Sequence, residues 1–165
     1  MRTEGSFYKK LLCRVCESNN IREALRLTPT PPGNNFLREE DLGSIEEFFP
    51  LELYFCDDCK HIQLGHVVEP EFLFQNNYTY VSSTSNVFVE HLKNYANSIS
   101  ERLDLTEKSF IIDIGSNDGT CLGFFKEKEM KTLGVDPAKE VSDIAISNGI
   151  DTINEFFSKD VALEI

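Results

Sequence analysis

The chain has 165 residues, 41% of them hydrophobic, enough to bury a core in one domain or in a small module joined to a second. Acidic residues outnumber basic ones 28 to 16, and the net charge of -12 repels polyanions, which argues against nucleic acid as a partner. No stretch approaches the roughly 20 apolar residues of a membrane span, and residues 1–10 lack the apolar segment of a secretory signal, so the expectation is a cytoplasmic protein without a membrane partner.

Short strands alternate with turns between Lys10 and Leu64, beginning with a close thiol pair, Cys13-Arg14-Val15-Cys16. Residues 28–35 include Pro29, Pro31 and Pro32, which exclude helix because proline lacks a donor and restrains its predecessor; the segment reads as irregular. Residues 50–55 alternate apolar and polar side chains before the second pair, Cys56-Asp57-Asp58-Cys59, and extended structure resumes over 62–64. The pattern is strand, knuckle, strand.

In a reducing compartment, four cysteines in two close pairs read better as metal thiolates than as disulfides. Thiolates two residues apart reach one ion from a tight turn, and two such turns supply the tetrahedral set that zinc prefers. Cys13, Cys16, Cys56 and Cys59 are therefore the candidate zinc ligands. With 39 residues between Cys16 and Cys56, the ion would tie together loops distant in sequence, a structural use with no open coordination position. Redox dithiols and merely buried thiols are the alternatives, but the thioredoxin-like pattern that normally surrounds a redox pair is absent. Arg14 and Lys60 are placed to offset some of the thiolate charge. His61 and His66 are read as surface residues or as neighbours of the ligands, and Cys121 is left over on the first turn of a helix.

Hydroxyls crowd residues 78–85 and suit a helix cap, after which Phe88, Leu92, Tyr95, Ile99 and Leu103 share one face at helical spacing, predicting a helix over 86–102. Residues 110–114 form a nearly continuous apolar run of the kind found in a buried parallel strand. The turn Gly115-Ser116-Asn117-Asp118-Gly119 follows, then a helix bearing Leu122, Phe124 and Phe125. A second strand over 132–135 runs into Asp136-Pro137. A helix over 138–148 is closed by Gly149, a third strand covers 150–153, and another helix starts near Ser158.

Strand, glycine turn, helix, strand and acid, in that order, begin a doubly wound sheet, in which small residues admit a ligand and the next helix aims free N–H groups at it. Gly115 and Gly119 are the glycines of the turn, and Asn117 tolerates a left-handed backbone. Asp136 follows Gly115 by 21 positions, where a carboxylate can accept from both ribose hydroxyls. NAD, FAD and S-adenosylmethionine all carry a ribose. The lack of a third small residue at dinucleotide spacing, and Asp113 two positions before the first glycine, favour a ligand with a cationic amino group and hence a methyl donor. An ordinary turn without a ligand is the bland alternative. The expected fold class is α/β: a zinc-binding module over 1–75, a connecting segment and amphipathic helix over 76–104, and a truncated, Rossmann-like doubly wound sheet over 105–165.

With both constellations in place, the chain resembles the sugar C-methyltransferases, class I S-adenosylmethionine-dependent enzymes with an N-terminal zinc-binding module. The resemblance rests on the two cysteine pairs, residues 50–53, 62–64 and 78–83, His91, residues 113–120 and residues 134–138, spanning nearly the whole chain. Asp136 stands where the family often shows glutamate. The resemblance implies that Gly115, Asn117, Gly119 and Asp136 line the methyl-donor site, with Asp113 beside them, and that the segment bearing Tyr78, Tyr80 and Ser83 faces donor or sugar. Without the family, that segment reads as a loop and helix cap. The implied substrate is a nucleotide-linked keto-deoxysugar, deprotonated beside its ketone and methylated on the resulting carbon. The family pattern continues beyond Ile165 with the remaining strands, the proton-transfer residues and a substrate domain. The expectation is accordingly a chain inactive alone, either a fragment or a part completed by a second polypeptide. A non-enzymatic zinc-knuckle interaction module is the alternative from a different class.

Overall fold

A computed structural model of the chain describes residues 6–33, 36–75 and 78–165, so Asn34 and Asn35 of the proline-rich segment lie outside the described residues. The chain divides into two compact units, Met1–Asn77 and Tyr78–Ile165.

In the first unit, β2 (Ile21–Thr30), β3 (Phe49–Cys56) and β4 (Ile62–Leu64) form an antiparallel sheet in that order. A second pair joins β1 (Phe7–Lys9) to β5 (His66–Val68), followed by the short helix α1 (Pro70–Phe74). The strand, knuckle, strand reading appears as β3 and β4, which pair Leu53 with Leu64 and Phe55 with Ile62 across the second cysteine turn. Residues 28–30, expected to be irregular, instead extend β2 through Pro29. Its missing donor is tolerated because β2 is an edge strand whose register shifts between Leu27 and Thr30. On β3 the buried side chains include Glu52, Tyr54 and Cys56. Glu52 is sustained there by Arg26 at 3.1 Å and the Tyr54 hydroxyl at 3.3 Å, since a buried carboxylate needs donors around it; His66 Nδ1, at 3.7 Å, lies beyond hydrogen-bond distance. Buried Phe49 anchors the small apolar core, with Phe7 edge-on at 5.5 Å and Phe72 at 5.3 Å.

The second unit starts with α2 (Asn86–Arg102), capped by the Ser85 hydroxyl, which accepts from the Phe88 amide. Then come β6 (Phe110–Ile114), α3 (Thr120–Lys126), β7 (Lys131–Val135), α4 (Lys139–Ser147), β8 (Thr152–Ile153) and α5 (Lys159–Glu164). The three strands are parallel in the order β6-β7-β8, with Ile112 opposite Leu133 and Val135 opposite Ile153. The bounds of α2 and β6 coincide with those read from the sequence. The packed stripe of α2 is rotated from the expected one: Ala96 and Ser100 are buried, while Tyr95 and Leu103 are exposed. Ala96 lets the helix approach Phe125 of α3 and Met130 closely, and Ile99 packs beside them. On the opposite flank of α3, Leu122, Ala145 and Ile150 form a second buried cluster.

Strand β6 also departs from expectation. Its apolar run predicts a strand buried on both faces, yet it lies at the edge of the sheet with Phe110, Ile112 and Ile114 exposed. Only Ile111 reaches the packed clusters beneath α3.

Candidate functional site

The two cysteine turns fold in the same way. The Cys13 amide donates to the Ser18 carbonyl at 2.8 Å and the Glu17 amide to the Cys13 carbonyl at 3.0 Å; Cys56 with His61, and Lys60 with Cys56, repeat this at 2.8 and 2.9 Å. Each turn is closed by a residue of positive φ, Glu17 at 59° and Lys60 at 67°, which curls the chain so that both sulfurs of a pair face inward. The turns are linked by hydrogen bonds from Ser18 and Asn20 to the Asp58 carboxylate, at 2.5 and 2.9 Å. Buried Gln63 of β4 braces the first turn: its Nε2 donates to the Leu12 carbonyl at 3.1 Å and its Oε1 accepts from the Arg14 amide at 2.8 Å.

Through these supports all four sulfurs come within 4.8 Å of one another, with Cys13 to Cys59 at 3.5 Å and Cys16 to Cys56 at 3.6 Å. A tetrahedron with Zn–S bonds of about 2.3 Å has edges of about 3.8 Å, so the set fits zinc. Its electrostatics also call for a cation. The amides of Cys16 and Val15 draw the Cys13 thiol down to about 6. Cys16 is pushed up to about 12: the Ser18 amide favours its thiolate, but the sulfurs of Cys59, Cys13 and Cys56, together with burial, outweigh it. Four thiolates this close ionise together only when a metal ion shares their charge. The charged ends of Arg14 and Lys60 are anchored on backbone carbonyls beside the two turns. Arg14 donates to the Leu64 and His66 carbonyls at 3.2 and 3.3 Å, and Lys60 to the Asp57 carbonyl. His61 contributes its backbone to the second turn, and His66 stands against Glu52.

In the second unit, the glycine turn and the acid come together at the carboxyl ends of β6 and β7. Asp136 is buried, its Oδ2 accepting from the Asn117 amide at 2.8 Å and its Oδ1 from the Ala138 amide at 2.9 Å. Five amides of the turn and helix start, where free N–H groups were expected, are already bonded, that of Asn117 to Asp136. Those of Gly115 and Ser116 bond the Val135 carbonyl, that of Gly119 the Ser116 carbonyl, and that of Thr120 the Asp118 carboxylate. The two glycines serve different purposes. Gly115, at φ +79°, has open space where a side chain would be, whereas a Cβ on Gly119 would meet Ile150 at 3.0 Å and Ala145 at 3.1 Å, inside the core. Gly115 therefore leaves room for a ligand, and Gly119 closes the packing of the turn on α4.

Acid and tyrosine side chains gather around this turn. Asp113 is held above the ordinary carboxylate range by burial and by the charge of Asp136. Burial, then Asp136 and Tyr80, likewise raises the Tyr78 phenol. Burial and the nearby Asp113 push the Cys121 thiol up to about 11. Tyr80 and Ser83 lie on the segment leading into α2, exposed to solvent. Sequence reading passed over Asp118, which is buried and hydrogen-bonded to that segment; its only signal was its place inside the glycine turn.

A mixed α/β protein with a four-cysteine zinc centre is the class that fold and site define. Residues 13–74 match the family model described as "Putative zinc binding domain". Over 153 residues, 93% of this chain, the sequence is 33% identical to C-methyltransferase NovU of Streptomyces niveus, and the match covers 36% of that protein. The chain is thus similar to a C-methyltransferase over nearly its whole length, and its first unit carries the zinc-binding domain of that family model. It spans about a third of the length of that curated relative.

Proposed function

We propose that the chain forms the donor-binding part of an S-adenosylmethionine-dependent C-methyltransferase that acts on a nucleotide-linked keto-deoxysugar in the cytoplasm, without nucleic-acid or membrane partners. The observation that carries this reading is the buried Asp136 carboxylate bonded to the glycine turn at 2.8 Å, next to the open space at Gly115. Parallel strands in sequential order, with the acid at the tip of the second, support the reading of a Rossmann-like sheet. Among the described residues, no helix is long and apolar enough to cross a membrane.

Each oxygen of Asp136 retains a lone pair beyond its amide bond, which leaves capacity to accept from ribose hydroxyls. The Asp113 carboxyl, beside Asp136, would face the cationic end of the donor, and Tyr78, Tyr80 and Ser83 the acceptor side. S-adenosylmethionine supplies an electrophilic methyl group on a sulfonium. The chain's contribution is to orient it, while zinc, held by Cys13, Cys16, Cys56 and Cys59, clips the first unit and takes no part in transfer. A second polypeptide is the partner proposed at the outer edge of β6, whose exposed Ile112 and Ile114 suit an interior position in a wider sheet.

Calorimetric titration of the zinc-loaded chain with S-adenosylmethionine and with NAD tests the reading. Heat with the first and none with the second is expected; binding of NAD alone overturns it.

A further inference from the structure

We propose that Asn117 and Asp118 are positioning residues whose side chains buckle residues 80–83 onto the glycine turn, so that the tyrosine-bearing segment is fixed to the turn that Asp136 holds before any ligand arrives. The inference deepens the donor-site reading and rests on it for its functional consequence.

Both ends of the Asn117 side chain engage one segment: Oδ1 accepts from the Ser82 amide at 2.9 Å, and Nδ2 donates to the Tyr80 carbonyl at 3.0 Å. Asp118 continues the pattern one residue on. Its Oδ2 accepts from the Ser83 amide at 2.9 Å, while Oδ1 takes the Thr120 hydroxyl at 2.7 Å and the Thr120 amide at 3.2 Å. Three backbone groups of a segment without regular strand pairing are thus satisfied by two adjacent side chains. Ser82, Asn117 and Asp118 are all buried, so water does not readily replace these bonds, and losing one strands a buried polar group.

The residue type at 117 follows from two demands. Its φ is 52°, in the left-handed region, and its side chain must offer a donor and an acceptor in one plane. Asparagine meets both; glycine would meet only the first. Because the Asn117 amide is itself held by Asp136, the tip of β7, the turn and the tyrosine segment form one hydrogen-bonded unit. A ligand that reaches Asp136 meets a wall already in place, which reduces the ordering cost of binding. The influence of Asp136 on the Tyr78 phenol agrees with that proximity.

Amide hydrogen exchange by NMR on the zinc-loaded full chain, coupled to calorimetry with S-adenosylmethionine, tests the buckle. Asn117→Gly keeps the backbone conformation and the amide bonded to Asp136 but deletes both side-chain bonds; Asp118→Ala deletes the bond to Ser83 together with the two to Thr120. Exchange at Ser82 in the first variant and Ser83 in the second is expected to rise at least tenfold. Amides of the β6–β7 ladder, unchanged, report that the unit is folded. Asn117→Asp retains the acceptor and should restore protection at Ser82. Cofactor affinity should fall about tenfold in both deletion variants, although Gly115 and Asp136 are intact. Ser82 and Ser83 amides exchanging at unstructured rates in the unmodified chain, or undiminished affinity once they are released, would overturn the proposal. If the unmodified chain binds no S-adenosylmethionine, the donor reading fails by itself, and the exchange data still decide whether the buckle exists.

Discussion

Asp136 holds the amide of Asn117 at 2.8 Å with one carboxylate oxygen and the amide of Ala138 at 2.9 Å with the other, joining the tip of β7 to the glycine turn and to the entry of α4. Asp136→Ala therefore leaves two amides without an acceptor. Each loss costs about 1–3 kcal/mol, so a fall in Tm of several degrees is expected in thermal unfolding. Asp136→Asn keeps one acceptor and should fall between this variant and the unmodified chain.

Removal of zinc opens the centre that links two turns separated by most of the first unit. A chelator is expected to melt that unit, and Cys56→Ser should lower its Tm far more than Cys121→Ser lowers that of the second, because Cys121 is not among the clustered sulfurs. Bound zinc per chain and calorimetric melting provide the check; equal melting temperatures for the two variants would refute the assignment.

The glycines should rank by what surrounds them. Gly115→Ala meets open space and carries only the strain of a positive φ, about 1 kcal/mol. Gly119→Ala adds to that strain a methyl forced against Ile150 and Ala145, about 1–3 kcal/mol more. At Gly134 a Cβ would stand 2.5 Å from the Ser116 hydroxyl, so Gly134→Ala displaces the turn itself. Denaturant midpoints should order Gly115→Ala above Gly119→Ala, and Gly134→Ala should weaken donor binding.

Gln63 spans the Leu12 carbonyl and the Arg14 amide with one side chain. Gln63→Leu preserves much of the volume but abandons both partners, predicting a loss of about 2 kcal/mol and faster zinc release to a colorimetric chelator.

Two carboxyls, Asp118 in the turn and Asp113 on β6, respond to pH with opposite sign. Burial would raise Asp118, but hydrogen bonds from Ser83 and Thr120 overcome it, so its folded value lies below the ordinary one. Its stabilisation is complete above the unfolded value near 3.8 and disappears as pH falls through the lower folded value. Asp113 is raised by burial and Asp136, so stability is lost as pH climbs from about 3.8 through its folded value. Melting curves from pH 3 to 7 should show Asp113→Asn gaining on the unmodified chain as pH rises, while Asp118→Asn erases part of the acid-side loss.

Local chemistry alone was enough to read α2 and β6 with their bounds, because Ser85 caps the helix and residues 110–114 are apolar but for Asp113. The thiol set was equally legible, since a spacing of two residues brings paired sulfurs to one ion whatever lies between the pairs. Other features depended on partners brought from far along the chain. Pro29 could join a strand only because β2 lies at an edge, and Glu52 could be buried only with Arg26 beside it. The sequence likewise marked Asn117 for its backbone, but not for a side chain turned toward Tyr80 and Ser82, 35 and more residues away. Backbone preferences and close spacings are written in neighbouring residues, whereas burial, hydrogen-bond partners and the exposed edge of β6 arise from which distant segments meet.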